Sequence, residues 1–440
     1  METFCPSNVV GIMRKYWTHK MIEELYSIVE EKYFSSGDFN GMPIYGLKGI
    51  FEINGEAFKA TVRQAIEDEV LTACFEGNPH IRGFSKIPKD KVLEGFDVAE
   101  YPGHICLYPH EKKLASSERL TLYSEAPYAM ELARGSGQLD FRTFNLSILE
   151  YYRNDPRYSY DTDFINGKIC ITDEYFESDS VPEHDQVLLQ TFGFAYDNDL
   201  NRYVAVFLRY LCNLSPEHQK VWAAKEIKGD IKLHPDYYAS SILGSWGSRM
   251  SIFRAFTEEL KIINEMSILI GKPTLFRNSY DGEMPKEFGF LLRPTQTEFN
   301  NFMLLLDKLM SDNINKKIFE NDVELESEEE RDDGKIIVKP KGTIQILEAW
   351  VNRYFKPVDP TPIEEMIKTF RKIRQLRQKP AHEVNVDSFD QELFRKQREI
   401  VINAYKSVRT LRQILANHPK VRVNPPKINE QLFNGEIWDI

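Results

Sequence analysis

Apolar residues recur at steps of three and four over several long stretches of the chain. Val9 to Phe34 carries them at helical spacing, and so does Glu56 to Phe75, which predicts two amphipathic helices near the start. His104 to Tyr108 reads as a strand. In Phe164 to Ile171 the pair Asn166-Gly167 stands between short apolar segments, the strongest local cue for a tight turn joining two strands. From about 186 to 290 the signals become helical. Asn201 to Leu214 is rich in apolar residues, and Ser215-Pro216-Glu217 supplies an N-cap with proline at the first helical position. Met250 to Ile270 places Ile252, Phe256, Leu260 and Ile263 on one face and stops at Gly271.

The C-terminal third is the most legible. Thr295-Gln-Thr-Glu298 is a capping box opening a helix striped with Phe299, Phe302, Met303, Leu306, Leu309 and Met310. Thr343 to Phe355 predicts a shorter helix that stops before Pro357. Thr361-Pro362-Ile363-Glu364 starts a third, which buries Ile363, Met366, Ile367, Phe370 and Ile373 and ends near Pro380. Ser388-Phe-Asp-Gln391 caps a fourth. Phe394, Val401, Ala404, Val408, Leu411 and Leu415 line it, with Gln397 in the remaining seam position. Four amphipathic helices in succession predict a bundle. The chain thus reads as α+β, predominantly α. A mixed α/β region spans 1–175, a mainly helical middle 176–290, and a helical bundle with a C-terminal tail 291–440.

Composition narrows the classes. An apolar share of 42% with 28% charged residues is that of a globular protein and excludes collagenous or wholly disordered chains. No apolar run approaches the roughly 20 residues of a membrane span, and the first residues lack the apolar core of a secretory signal. Five scattered cysteines, odd in number and never C-x-x-C, point to a reducing compartment, so the expected location is the cytoplasm. Charge is uneven. The formal net charge is −11, yet Thr361 to Pro425 holds 14 Lys and Arg against 7 Asp and Glu. Nine acids crowd into Glu320 to Asp333, an insertion over 320–334 that reads as a solvated loop or hairpin, or as an acidic flap competing with phosphates for the basic segment.

Within that basic segment Arg371, Arg374 and Arg377 follow at steps of three, on one side of the third helix. Lys379-Pro380-Ala381-His382 comes next, and the proline delivers His382 just beyond the helix end. Histidine moves protons near neutral pH, and arginine offers a fixed fork of donors to a phosphate. Arg377-Gln378-Lys379-Pro380-Ala381-His382 resembles the motif of the HEPN superfamily, whose nucleases carry an arginine, four to six residues and then a histidine at a helix end in an all-α bundle. Arg14 to His19 and Arg412 to His418 match the same bare pattern, but only the Arg377 match lies between two capped helices inside the basic segment.

The resemblance implies a HEPN-like bundle over about 290 to 416 that forms a homodimer and cuts single-stranded RNA without metal or other cofactor. His382 would transfer protons, Arg377 would clamp phosphate, and Arg371, Arg374 and Lys379 would contact RNA. It also implies a place in antiphage defence or a toxin–antitoxin pair, with the N-terminal part sensing a trigger, selecting substrate or holding the nuclease inactive. A non-catalytic HEPN-like dimerisation or RNA-binding scaffold is the alternative.

Three further features carry weaker chemistry. Tyr151 to Tyr160 interleaves aromatics with Arg153 and Arg157, which suits either base stacking or a packed domain junction. Asp161 and Asp163 suit a cation or a turn bonded to its own backbone. His104, Cys106 and His110 lack the second ligand cluster that a zinc site needs.

Overall fold

The computed structural model describes residues 6–439 apart from 76, 84–86, 179, 246, 281–283, 331–335 and 379–386. Of residues 6–18 it describes the backbone alone. About 49% of the chain is helix and 16% strand, so the protein is α+β with helix dominant.

The first core belongs to helix α1 (Pro6–Ser35), strand β1 (Met42–Pro43), helix α2 (Glu56–Glu67), strand β2 (Leu71–Cys74), helix α3 (Lys89–Val98) and strand β3 (Cys106–Pro109). The strands pair antiparallel in the order β1–β3–β2. The helix expected over Glu56–Phe75 ends at Glu67, because the apolar period changes there. Glu69 turns the chain with a φ of 55°, and Leu71 and Ala73 then alternate into the core as a strand does.

A larger antiparallel sheet follows. Its elements are helix α4 (Pro127–Ala133), strands β4 (Phe141–Phe144), β5 (Tyr158–Thr162), β6 (Asn166–Ile171), β7 (Leu188–Tyr196) and β8 (Arg202–Phe207), helix α5 (Pro216–Ala223), short strands β9 (Glu226–Ile227) and β10 (Lys232–Leu233), and helix α6 (Pro235–Ile242). The order is β5–β6–β7–β8–β4–β9, with β10 on the end of β7. The middle of the chain thus carries a sheet where helix was expected, and across Asn201–Leu214 the expectation is corrected at Arg202–Phe207, a strand, while Leu208–Leu211 is helical. Val204 to Phe207 is a continuous apolar run, which does not distinguish a buried strand from a buried helix by period. All four residues are buried on a strand between two others.

The predicted hairpin is present, but its turn precedes Asn166-Gly167. Thr162 pairs with Gly167, Phe164 adopts a φ of 69°, and Asp163 Oδ1 accepts the amides of Ile165 and Asn166 at 2.9 and 2.8 Å. Asp163 is thus a turn residue. Gly167 lies inside β6, where a Cβ would meet the Phe192 ring at 2.5 Å.

The third core is helical. Strand β11 (Met250–Ser251) leads into α7 (Ile252–Leu269), followed by α8 (Gln296–Leu309), the hairpin β12 (Glu326–Glu330) and β13 (Ile336–Pro340), then α9 (Thr343–Tyr354), α10 (Thr361–Gln378), α11 (Glu392–Ala416) and β14 (Ile437–Trp438). Helix α7 packs on α11, α11 on α10, and α10 on α8 and α9. Five long helices share this core, so the helical unit starts near Met250 rather than 291, and β14 pairs parallel with β11. Of the acidic insertion, Glu326–Glu330 is a largely exposed strand paired with Ile336–Pro340, whereas Asp322 pairs with Lys272 and Trp350. Among the described residues no helix is long and apolar enough to cross a membrane.

Candidate functional site

Helix α10 runs out at Gln378 with its apolar residues Ile363, Met366, Ile367, Phe370 and Ile373 buried. That packing fixes the rotation of its last turns. Arg374 and Arg377 face α8, while Arg371 pairs with Glu348 of α9. Facing them, α8 buries Phe299, Phe302, Met303 and Leu306 and, in the same stripe, Asp307. No part of the Asp307 side chain reaches solvent.

The four charges interlock. Arg374 Nε donates to Asp307 Oδ1 at 3.0 Å and its Nη2 to Asp312 Oδ1 at 2.6 Å. Arg377 Nη1 donates to Asp307 Oδ2 at 2.6 Å and also to Asp312 Oδ2. Asp307 and then Asp312 stabilise the cation and raise the Arg377 pKa further, against the cost of burial. Two guanidiniums lie side by side because two carboxylates stand between them, and the cluster is electrically balanced. Its members differ in exposure: Asp307 is sealed in, Asp312 is 37% exposed, and each arginine is 30% exposed.

Sequence reasoning missed the two aspartates. The available signal was Asp307 itself, a charge four residues after Met303 on an otherwise apolar stripe.

Lys379 and His382 lie outside the described residues. The chain is next described at Asp387, whose Oδ1 accepts the Thr297 amide at 2.8 Å. The Ser388 carbonyl accepts from Gln296 at 2.9 Å. Arg377 and Asp387 therefore stand at opposite ends of α8, about 20 Å apart along a helix of this length.

The two other arginine–histidine matches are differently employed. Arg412 is buried in an ion pair with Glu259, and the His418 ring accepts the Lys420 amide as a helix cap. His19 pairs with Glu23 on an exposed helix face, and the Arg14 side chain lies outside the described residues.

The Tyr151–Tyr160 stretch packs a junction. Arg153 Nη2 donates to Glu298 Oε1 at 3.0 Å across to α8, and Tyr152 and Tyr158 are buried. A polar chain not foreseen from the sequence runs through it. Trp222 Nε1 donates to the Tyr152 hydroxyl at 2.8 Å, that hydroxyl meets His218 Nδ1 at 2.8 Å, and His218 Nε2 meets Asp185 Oδ1 at 3.2 Å. Arg157 Nη1 donates to the other Asp185 oxygen at 2.8 Å. The Asp185 carboxylate accepts from Nε2–H, and in the neutral ring that burial favours Nδ1 then accepts the Tyr152 proton. Burial pushes the His218 pKa down, opposed by Asp185. With every group satisfied and His218 2% exposed, this chain is built to hold the junction together.

A cleft of about 740 Å³ opens between β8 and the first half of α11. The Arg202 guanidinium sits over Phe290, its Cζ 3.2 Å from the ring centroid. Arg293 and Arg395 on its walls pair with Glu150 and Glu392. Among the described residues no group of three or more His, Cys, Asp or Glu is placed to hold a metal ion, and His110 serves as the cap of a short helix. No protein-family model matches the chain, and no curated protein or solved structure matches it.

Proposed function

We propose that the protein is a cytoplasmic, metal-independent endoribonuclease that cuts single-stranded RNA in a pocket assembled from Arg377 and His382 of two copies. The observation that carries this reading is Arg377 at the end of α10, anchored to the solvent-free carboxylate of Asp307 and still 30% exposed. A guanidinium held in this way is oriented before substrate arrives, which is what stabilising a developing phosphorane charge requires. Asp312, the exposed carboxylate, is the group an incoming phosphate displaces. In the reaction His382 accepts the ribose 2′-hydroxyl proton as the oxygen attacks phosphorus. The partner subunit's His382 protonates the departing 5′ oxygen, leaving a cyclic phosphate.

One observation favours the second reading, a non-catalytic HEPN-like dimerisation or RNA-binding scaffold. Asp307 and Asp312 already neutralise Arg374 and Arg377.

Pure full-length protein incubated with single-stranded RNA in chelator separates the two. The nuclease reading expects cleavage that falls by about 10²-fold or more in His382→Ala and in Arg377→Ala. Cleavage unchanged in both variants removes these residues from the mechanism. RNA binding by all three proteins with no cleavage supports the scaffold.

A further inference from the structure

We propose that Cys74 and Cys106 form a peroxide-oxidisable dithiol, a modification site that closes into a cross-strand disulfide. Strands β2 and β3 run antiparallel with Ala73 opposite Leu107 and Cys74 opposite Cys106. Residues directly opposed in such a pair project to the same face. The packing agrees: both cysteines lie against the core of the large sheet, whereas Ala73 and Leu107 lie in the N-terminal core. Opposed Cα atoms in an antiparallel pair are roughly 4.5 or 5.5 Å apart, and either spacing lies within the roughly 4.4–6.8 Å that a disulfide spans. Cys170 has no such mate, since Ser159 and Leu188 stand opposite it.

The two thiols are unequal in a useful way. Cys74 is half-buried and Cys106 is 1% exposed, so a small oxidant meets Cys74 first. The Cys74 thiolate attacks the O–O bond of the peroxide, giving a sulfenic acid and one water. Cys106 Sγ then attacks that sulfur and forms the S–S bond, and the hydroxyl leaves as the second water. The two thiols lose two electrons, which reduce the peroxide, and their two protons end in the waters. The exposed imidazole of His80, its Nδ1 3.6 Å from Cys106 Sγ, is placed to take the Cys106 proton. Burial, and then the nearby Cys74, push that thiol up to about 11, so the neighbouring base matters. The bond would tie β2, the outer strand of its sheet, to the central one.

The test uses the full chain. Hydrogen peroxide is added under native conditions, remaining thiols are alkylated, and unreduced peptides are mapped by mass. The expected product is one peptide pair joining Cys74 to Cys106, lighter by two hydrogens and released by dithiothreitol. In Cys106→Ser the Cys74 sulfenic acid persists and is captured by dimedone. In Cys74→Ser, a substitution at a half-buried strand end, Cys106 stays alkylatable, which keeps the test valid if Cys106→Ser does not fold. Full alkylation of both cysteines after peroxide, or Cys74 joined to any other cysteine or to a second chain, overturns the proposal.

Discussion

The Arg377 guanidinium is held at 2.6 Å by Asp307, a carboxylate that solvent does not reach. The contact joins the last turn of α10 to the C-terminal end of α8, and Asp312 reaches the same guanidinium from the exposed side. The two acids therefore have separable duties. Asp312→Asn is expected to change stability by less than about 1 kcal/mol, as exposed pairs do, and to tighten binding of single-stranded RNA by exposing net positive charge. Fluorescence anisotropy at several salt concentrations checks it: the variant should show a steeper loss of affinity with salt than wild type. Equal slopes would mean that these arginines do not meet phosphate.

Arg412 and Glu259 form the most deeply buried ion pair described, at 6% and 0% exposure, between α11 and α7. Burial raises the Glu259 pKa, and Arg412 opposes the rise. Arg412→Met strands that carboxylate in the core and should cost about 3–5 kcal/mol in denaturant unfolding. The double variant Arg412→Met, Glu259→Leu should recover most of the loss, because apolar residues of similar volume replace a buried pair at little net cost. A double variant as unstable as the single one would assign the cost to packing alone.

Gln397 sits on α11 with 3% exposure. Its Oε1 accepts the Leu291 amide at 3.0 Å, and its Nε2 donates to the Gly289 carbonyl at 2.8 Å. Gln397→Leu fits the seam but leaves two backbone groups unpaired, an expected loss of about 2–4 kcal/mol. Amide exchange at Leu291 should accelerate in the variant, and an unchanged rate there would contradict this assignment.

His234 caps α6 through Nδ1, which accepts the Asp236 amide at 3.2 Å, and is 1% exposed. Burial, outweighing the pull of Asp236, lowers its pKa to about 4. The unfolded chain therefore binds a proton near pH 6.5 that the folded chain refuses until about 4. Its contribution is complete above about 6.5 and disappears as pH falls to about 4, up to roughly 3 kcal/mol in all. Buried His218 shifts in the same direction and adds to the loss. His234→Asn keeps a capping side chain without the titration, so its stability should fall less between those pH values. Parallel curves for variant and wild type would exclude His234 as a source.

Much of the helical third was legible because its signals are local. The Thr295 cap is present, its Oγ1 accepting the Glu298 amide at 3.3 Å, and the stop at Gly271 takes a φ of 85°. The reciprocal half of the expected Thr295 box, Glu298 bonding back to the cap residue, is corrected. Glu298 turns instead to the amides of Leu292 and Arg293 and to Arg153, partners supplied by the fold.

What the residue order determined by itself is what a few neighbouring side chains can enforce: caps, breaks, apolar stripes, and the run of arginines at steps of three. Tertiary structure decided whatever depends on partners distant along the chain. The apolar run at Val204–Phe207 became a strand because two strands flank it, and α7 joined the helical core by packing on α11, where Glu259 meets Arg412 from 153 residues away. The arginines acquired their carboxylates in the same way, from α8 and the turn after it, more than 60 residues earlier. An isolated sequence window holds the charge of Arg377, but burial and the approach of Asp307 decide how that charge is spent.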